Sequence, residues 1–415
     1  MIRPRTPGGR SLALGIAALS IAMAVAACGS SGKTTVSAGS SAAFTPPPLP
    51  SFSGSYTLMV TAPLTSQGST GQPVAPEIPV GAEAAADQIN HAGGVNGKSI
   101  TIVSCDTGGT ANGAVECARK AVTDHVDAVV GAADNGSGMP LLQAAGIAMI
   151  AEVPSATEYT STDSFPIMGE APVLLAGMVS VPAAKGATSV SIVTNAGAST
   201  AGVATLLKLV ERVHPAVSVK VVSIPSTAID LSAVVAQAEQ SQYIGLTPNN
   251  LDSLSAFMSA YEQSSDKKPL ISNDFTISSA GLQQLGQSLD GVTILSNFLP
   301  STDSSNTAVA TYDKWMTYVD SGVNKDSESA NSYDGVVLFD QVAKTLPQVT
   351  AATVRAALAK EGTVQLPMLP SFSLEKPATG VGPFVRIFNA DLTVSTVQNG
   401  VITSGGGGFI NPYVP

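Results

Sequence analysis

Histidine, cysteine and aromatic side chains are scarce in this chain, and each shortage argues against a class of function. Three His and three Cys among 415 residues are too few for a zinc site built from several such ligands. One Trp and 5% aromatic residues leave few rings for base stacking, and 20 Lys and Arg against 30 Asp and Glu give a net charge of -10. The composition therefore argues against nucleic acid as a partner, and we expect no metal or other cofactor.

The N-terminus predicts where the chain is located. Three arginines precede an uncharged apolar run over 11–27, which is typical of a secretory signal peptide. The sequence Val25-Ala26-Ala27-Cys28 resembles the bacterial lipobox, in which cleavage leaves a lipidated Cys as residue one. We expect 1–27 to be removed and Cys28 to anchor the chain on the extracytoplasmic face of the cell membrane. An ordinary secretory signal with an incidental Cys is the alternative.

A segment rich in Gly, Ser, Thr and Pro follows over 28–56 and predicts a tether between the lipid and the folded part. Beyond it, short apolar runs alternate with longer amphipathic segments. The predicted strands are 57–61, 99–104, 127–130, 148–153, 189–194, 217–224, 243–246, 269–272 and 292–296. The predicted helices are 81–92, 111–125, 138–145, 172–184, 199–213, 231–240, 251–263, 278–289, 306–319, 330–345 and 351–360.

This alternation predicts an α/β fold with doubly wound parallel sheets. The strands are nearly continuous apolar runs, as expected for sheets covered by helices on both faces. The pattern changes to long helices after 296 and ends with a strand predicted near 384–389. A closed barrel would keep strict alternation to the end, so two open sheets are favoured.

Cys105 and Cys117 are the thiols left once Cys28 carries a lipid. Cys105 is predicted at the end of a strand and Cys117 in the next helix, with a Gly-rich turn between them. Since the compartment permits disulfides, we expect the two to be bonded. Two reduced, buried thiols are the alternative.

No constellation typical of catalysis accompanies these elements. The predicted folded part contains no G-x-S-x-G elbow and no nucleophile paired with a general base. We therefore expect a protein that is not an enzyme.

Several motifs resemble the leucine/isoleucine/valine-binding family of extracellular solute receptors for ABC transporters. The principal one, over 81–131, is a helix with an INHAGGVNG turn, a strand ending in Asp106, a helix with CARKAV and a DAVVG strand. Weaker similarities are AGIAMIAEVPSAT, ANSYDGVVLFDQVAKTL and the opening PLT at 63–65, with Ser66 where Gly is usual.

The resemblance implies a type I periplasmic-binding fold, with two lobes joined by three crossovers that close on a small solute. Crossovers near 178, 292 and 380 would put 57–178 and 293–380 in lobe 1, and 179–292 and 381–415 in lobe 2. The implied partners are an amino acid, amide or small carboxylate and the permease subunits of an ABC importer. A sensor of the same fold and an extracellular enzyme using the cleft are the alternatives.

Ligands of open parallel sheets bind beyond the carboxyl ends of the strands. These positions are Asn135, Ser137, Ser155 and Thr157 in lobe 1, where hydroxyl, amide and backbone N–H groups suit a solute carboxylate. In lobe 2 they are Ser199, Thr247 and Asp274, and the resemblance implies that Asp274 neutralises an ammonium group. Each could instead be an ordinary helix cap. The family usually has Tyr where this chain has Ser199, so its apolar specificity is not carried over.

Overall fold

The computed structural model describes residues 44–65, 74–227 and 230–414. The predicted signal peptide, Cys28 and the first part of the predicted tether lie outside the described residues. Phe44 packs edge to face on Trp315, with ring centroids 5.0 Å apart. The N–H of Ser53 donates to the Gly97 carbonyl at 2.9 Å. These contacts hold the end of the predicted tether against the folded part.

Two sheets form the framework. The first contains β1 Ser55–Ala62, β2 Ser99–Asp106, β3 Ala128–Val130, β4 Met149–Ile150 and β5 Ser164–Phe165. The second contains β6 Ser189–Asn195, β7 Ser218–Ile224, β8 Tyr243–Thr247, β9 Leu270–Asn273, β10 Thr293–Ser296, β11 Thr393–Gln398 and β12 Val401–Ser404. The orders are β2-β1-β3-β4-β5 and β12-β11-β10-β9-β8-β6-β7. All pairs are parallel except β10 with β11 and β11 with β12. The predicted α/β class with two parallel sheets is confirmed.

Helices cover the sheets at nearly the predicted positions. They are α1 Glu77–His91, α2 Ala111–Thr123, α3 Met139–Ala145, α4 Glu170–Ala184, α5 Ala198–Val213, α6 Ser232–Ala238, α7 Leu251–Glu262, α8 Ser279–Leu285, α9 Thr307–Val319, α10 Ser327–Lys344 and α11 Ala351–Leu358. Side chains of α1, α9, α10 and α11 form one apolar core with the first sheet. α4 packs on the second sheet, and nearly all of its side chains are buried.

The chain passes between the sheets three times, and two buried asparagines link the passages. Asn297, just after β10, accepts the N–H of Glu170 at 3.2 Å and donates to the Asp391 carbonyl at 3.3 Å. Asn389 donates to the Ile167 carbonyl at 3.1 Å and accepts the N–H of Asp391 at 3.0 Å. Each passage is therefore bonded to another through a side-chain amide.

The strand predicted near 384–389 is wrong, because this segment is a loop. Its apolar side chains are used for packing, with Ile387 and Phe388 buried in different cores. The strands that follow, β11 and β12, form a hairpin whose turn is Asn399-Gly400, both at positive φ. This Asn-Gly turn is the hairpin signal that the sequence contained.

The first helix also begins earlier than predicted. α1 starts at Glu77 although Pro79 lies in its first turn. Proline usually interrupts a helix, and both Pro76 and Pro79 lie at this start. A proline is accepted there because first-turn N–H groups have no partner within the helix.

Gly81 is the point of close approach between α1 and α10. A Cβ at this position would lie 2.2 Å from the Ser329 carbonyl oxygen. We predict that Gly81→Ala lowers the free energy of unfolding by about 1–3 kcal/mol through overpacking. The control is Gly202→Ala at an exposed position of α5, where a Cβ meets nothing within 4 Å. Gly202→Ala should raise the free energy of unfolding by about 0.5–1 kcal/mol, because alanine has a higher helix propensity than glycine. Urea unfolding compares the two, and equal effects would contradict the packing argument.

The predicted disulfide is present. Cys105 in β2 and Cys117 in α2 are bonded, with Cα atoms 5.7 Å apart. The Gly-rich turn between them brings α2 back over β2, and Thr110 caps this helix by accepting the Gly113 N–H at 3.0 Å. The bond fixes this strand and helix to each other.

Candidate functional site

Polar groups cluster where β3 and β4 end in the first sheet. The Ser137 hydroxyl donates to the Asn135 side chain at 2.6 Å, and the Ser155 hydroxyl donates to the Asn135 carbonyl at 3.1 Å. Thr157 is exposed two residues later. The structure therefore brings the predicted lobe 1 residues to one edge of the first sheet.

Buried carboxyls lie beneath this edge, and the sequence reasoning missed them. Asp134 accepts the Thr61 hydroxyl at 3.2 Å and the Gly136 N–H at 3.1 Å. Burial, with Glu158 nearby, raises its pKa to about 6. Glu152 has no exposed surface, and burial raises its pKa to about 8 despite a hydrogen bond from Ser164. Glu158 is a charged neighbour of both, and Arg386, from a distant part of the chain, is a further neighbour of Glu152, so no single local motif marks them.

At the corresponding edge of the second sheet, polar side chains bond mainly to one another and to the backbone. The Thr247 hydroxyl donates to the Val193 carbonyl at 3.2 Å, so its proton is used within the sheet. Asn195 accepts the N–H of Asn249 at 2.8 Å and donates to the Ser253 hydroxyl at 2.8 Å. Ser199 lies in the first turn of α5. Thr247 and Asn195 border the end of the sheet and are not among the residues that line the cavity beside Asp274.

Asp274 lies directly after β9, beside a cavity of about 280 Å³. Its Oδ2 accepts a hydrogen bond from Ser327 at the start of α10, Ser296 is a further hydrogen-bond partner of the carboxyl, and its Oδ1 is buried. Burial raises its pKa to about 6. The cavity is lined by Asp274, Ile277, Ser279, Leu282, Ile294, Ser296, Leu299, Pro300, Ser301, Thr302, Lys325, Asp326, Ser327, Ala330, Met368, Ser395, Gly400, Val401 and Ile402. Among the predicted ligand-binding residues whose side chains the structure describes, Asp274 is the one that lines it.

Further carboxyls surround Asp274. Asp326 caps α10 by accepting the Ser329 N–H at 3.1 Å, and Glu328 shares a hydrogen bond with Glu77 of α1. Burial, followed by the charge of Asp326, raises the pKa of Glu328 well above its ordinary value. Burial raises the pKa of Glu170 to about 7, and the nearby charge of Asp274 adds to the shift. Acidic groups on α1, α4 and α10 therefore meet near the end of β9.

Neither a metal centre nor a membrane span is found in the part of the chain that the structure describes. No group of three or more His, Cys, Asp or Glu among those residues could hold a metal ion. None of their helices is both long and apolar enough to cross a membrane.

The family model for periplasmic binding proteins matches residues 60–389. This chain belongs to the periplasmic binding protein family. The assignment places it outside the cytoplasm, in agreement with the prediction from its N-terminus. A search of curated proteins finds no match.

Several solved structures share the fold with this chain at low sequence identity. A possible leucine/isoleucine/valine-binding protein of Rhodopirellula baltica is 15% identical, with a TM-score of 0.68 over 86% of this chain and 97% of that one. A branched-chain amino-acid substrate-binding protein of Streptococcus pneumoniae, solved with isoleucine, is 16% identical, with a TM-score of 0.64 over 84% and 98%. A solute-binding protein of R. palustris, solved with 4-hydroxybenzoate, is 16% identical, with a TM-score of 0.67 over 86% and 97%. These neighbours are solute-binding proteins, and the predicted type I periplasmic-binding fold is confirmed.

Proposed function

We propose that this periplasmic binding protein is the solute receptor of an ABC importer and binds a small organic solute between its two lobes. The observation that carries the proposal is the cavity beside Asp274, because elements of both sheets line it. Asp274, Ile294 and Ser395 come from the second sheet and its loops, whereas Ser327 and Ala330 belong to α10, which packs on the first sheet. A solute there would contact both halves of the molecule.

The proposed mechanism is hinge closure. Contacts from both lobes favour the closed state, and only a difference in affinity between open and closed states shifts the equilibrium. Three passages linked by Asn297 and Asn389 suit a hinge, since they restrict the motion to rotation about one region. We propose the predicted lobes, 57–178 with 293–380 and 179–292 with 381–415, as the bodies that move.

The solute is proposed to carry an ammonium group that Asp274 neutralises. The position of Asp274 in the wall of the cavity supports this contact. We propose that further polar residues around the edges of the cleft contact the solute in the closed state: Asn135, Ser137, Ser155, Thr157, Ser199 and Thr247. Two proteins of similar structure were solved with isoleucine and with 4-hydroxybenzoate. The volume of the cavity beside Asp274, about 280 Å³, lies just below the usual range for small-molecule pockets, which starts at roughly 300 Å³.

We also propose that Cys28 carries a lipid that holds the receptor at the membrane. The expected result is that the wild-type chain fractionates with membranes in its native cell. Cys28→Ser should move it to the soluble extracytoplasmic fraction, since the signal peptide alone provides no lasting anchor. A wild-type chain found in the soluble fraction would contradict the anchor while leaving solute binding untouched.

The direct experiment for the function is mass spectrometry of the small molecule that copurifies with the chain. Two alternatives are separated by further observations. A sensor of the same fold would be encoded beside a signalling protein instead of permease subunits. An enzyme would convert the bound molecule, whereas a receptor returns it unchanged.

A further inference from the structure

The segment that precedes β1 packs on the folded part, and we call residues 44–54 the strap. Its first part, FTPPPLP, is rich in proline, which favours an extended backbone. The ring of Phe44 meets Trp315 edge to face, with centroids 5.0 Å apart, and Tyr318 at 6.0 Å. The Lys314 ammonium lies over the Phe44 ring, 4.7 Å from its centroid. The strap therefore begins in contact with aromatic side chains.

A cluster of rings on α1 and α9 receives the strap. Trp315 and Tyr318 lie near the end of α9 and contact each other, with centroids 5.6 Å apart. The ring of His91, the last residue of α1, lies 5.5 Å from Trp315, and its Nδ1 donates a hydrogen bond to the Pro47 carbonyl. Grooves lined by aromatic rings are typical recognition sites for proline-rich segments. The folded part thus carries a matching site for this segment of its own chain.

The second end of the strap is held by its backbone and by Phe52. The Ser53 N–H and hydroxyl donate to the Gly97 carbonyl at 2.9 and 3.1 Å. The half-buried Phe52 ring packs on Gly94, where a Cβ would lie 2.8 Å from a ring carbon. Both ends of the strap are therefore fixed to the folded part.

The strap lies at the end of lobe 1 that is opposite the candidate site. The candidate residues of lobe 1 follow the carboxyl ends of β3 and β4, whereas the strap bonds beside the amino ends of β1 and β2. Because β1 contains 8 residues, about 26 Å separates these two ends of the sheet. A chain that enters through the strap is therefore attached to the pole of lobe 1 that faces away from the solute.

We infer that the ring cluster on α1 and α9 binds the strap and thereby makes lobe 1 the membrane-proximal body of the receptor. The inference rests on the proposed lipid at Cys28 and on the proposed lobes. A docked strap leaves 28–43 as the tether. A flexible chain of that length spans roughly 20–24 Å, against roughly 26–31 Å for one as long as 28–54. The contacts of the strap named above are all with lobe 1, so lobe 2 is the body that moves relative to the membrane.

Trp315 reports whether the strap is docked, because it is the only tryptophan of the chain and is 5% exposed. Phe44→Ala removes a ring that covers it, so its emission should shift to longer wavelength and its quenching constant with acrylamide should rise at least twofold. The matched control is Leu49→Ala in the same strap, where the side chain is 57% exposed. This control should be quenched as wild type is. Equal quenching of all three proteins would overturn the docking.

Energy transfer to lipid tests the orientation on the full lipid-carrying chain. Lys120→Cys in the last turn of α2 and Glu262→Cys at the end of α7 place a donor dye at exposed positions of lobe 1 and lobe 2. Since Cys105 and Cys117 are bonded and Cys28 is acylated, the dye reacts with the added thiol. Vesicles of phosphatidylethanolamine and phosphatidylglycerol contain a rhodamine-labelled lipid as acceptor. Transfer should be at least twofold more efficient from position 120 than from position 262.

Undocking the strap should lengthen the tether. Phe44→Ala combined with His91→Ala should therefore lower the transfer from position 120 by about a third, whereas Leu49→Ala should leave it unchanged. Equal transfer from positions 120 and 262 would overturn the orientation. A chain that does not bind the vesicles would overturn the lipid anchor and the orientation together, while the fluorescence of Trp315 decides the docking by itself. These measurements need no solute, so their failure is distinguishable from failure of the receptor function.

Discussion

Glu152→Gln is expected to make the chain about 4 kcal/mol more stable than wild type at pH 8, because the unfolded wild type gains free energy by ionising this carboxyl and the glutamine variant does not. Glu152 is fully buried next to β4, with Ser164 donating to one carboxyl oxygen and the other unpartnered. Its folded-state pKa of about 8 lies above its ordinary value of 4.5. The protonated acid is therefore the form that the fold accommodates.

The direction with pH follows from this raised pKa. The contribution of protonated Glu152 to the free energy of unfolding is fully present below the pKa of the unfolded state and is lost as the pH rises through the pKa of the folded state. Stability should therefore fall between pH 5 and 8, by about 1.4 kcal/mol per pH unit from Glu152 alone. Glu170, Asp134 and Asp274, whose raised pKa values lie at about 7, 6 and 6, add to the fall in the lower half of this range.

Urea unfolding at pH 5, 6, 7 and 8 measures the effect. Wild type and Glu152→Gln should differ by less than about 1 kcal/mol at pH 5 and diverge as the pH rises. Glu262→Gln, an exposed change on α7, should keep the slope of wild type. Parallel curves for wild type and Glu152→Gln would show that Glu152 is ionised in the folded chain and would refute the assignment.

Asn297→Ala is expected to destabilise the chain by about 2–4 kcal/mol, since it leaves two buried backbone groups without partners. The N–H of Glu170 and the carbonyl of Asp391 both lose the Asn297 amide. Asn297 has no exposed surface, so water does not replace these bonds without disturbing the packing. Because the groups belong to different passages, the loss should also loosen the link between the lobes.

The matched control for the hinge is Asn324→Ala, at an exposed position just before α10. It should stay within about 0.5 kcal/mol of wild type, as surface changes usually do. Equilibrium unfolding measures both, and limited proteolysis shows whether 297–300 becomes accessible. If Asn297→Ala matched the control in both assays, the amide would not join the passages.

Most elements of the fold could be predicted because their apolar patterns are strong. The strand β3 is apolar with every residue fully buried, and the helix α4 is apolar apart from Glu170 and Ser180. The segment 384–389 was wrongly predicted as a strand because its apolar side chains pack into the cores from a loop. The strand β11 was not predicted because it is rich in Ser and Thr. Apolarity indicates burial, and burial also occurs outside regular structure.

The candidate site could be predicted only in part. Asp274 was found from its place after a strand, a local property. Its contact with Ser327 joins residues far apart in sequence, and the Glu77–Glu328 pair joins two different helices. Contacts of this kind depend on how lobes and helices pack, so spacing along the chain does not reveal them. The resemblance therefore implied an ammonium site without indicating the acids around it.

Native mass spectrometry of the chain purified from its own cells tests the receptor function most directly. Gentle desalting preserves non-covalent complexes, and unfolding in acid then releases the bound molecule for identification. The expected result is one small organic molecule per chain, chemically unchanged after long incubation with the protein. A chain that carries no small molecule, and acquires none after incubation with concentrated medium from its culture, would contradict a solute receptor.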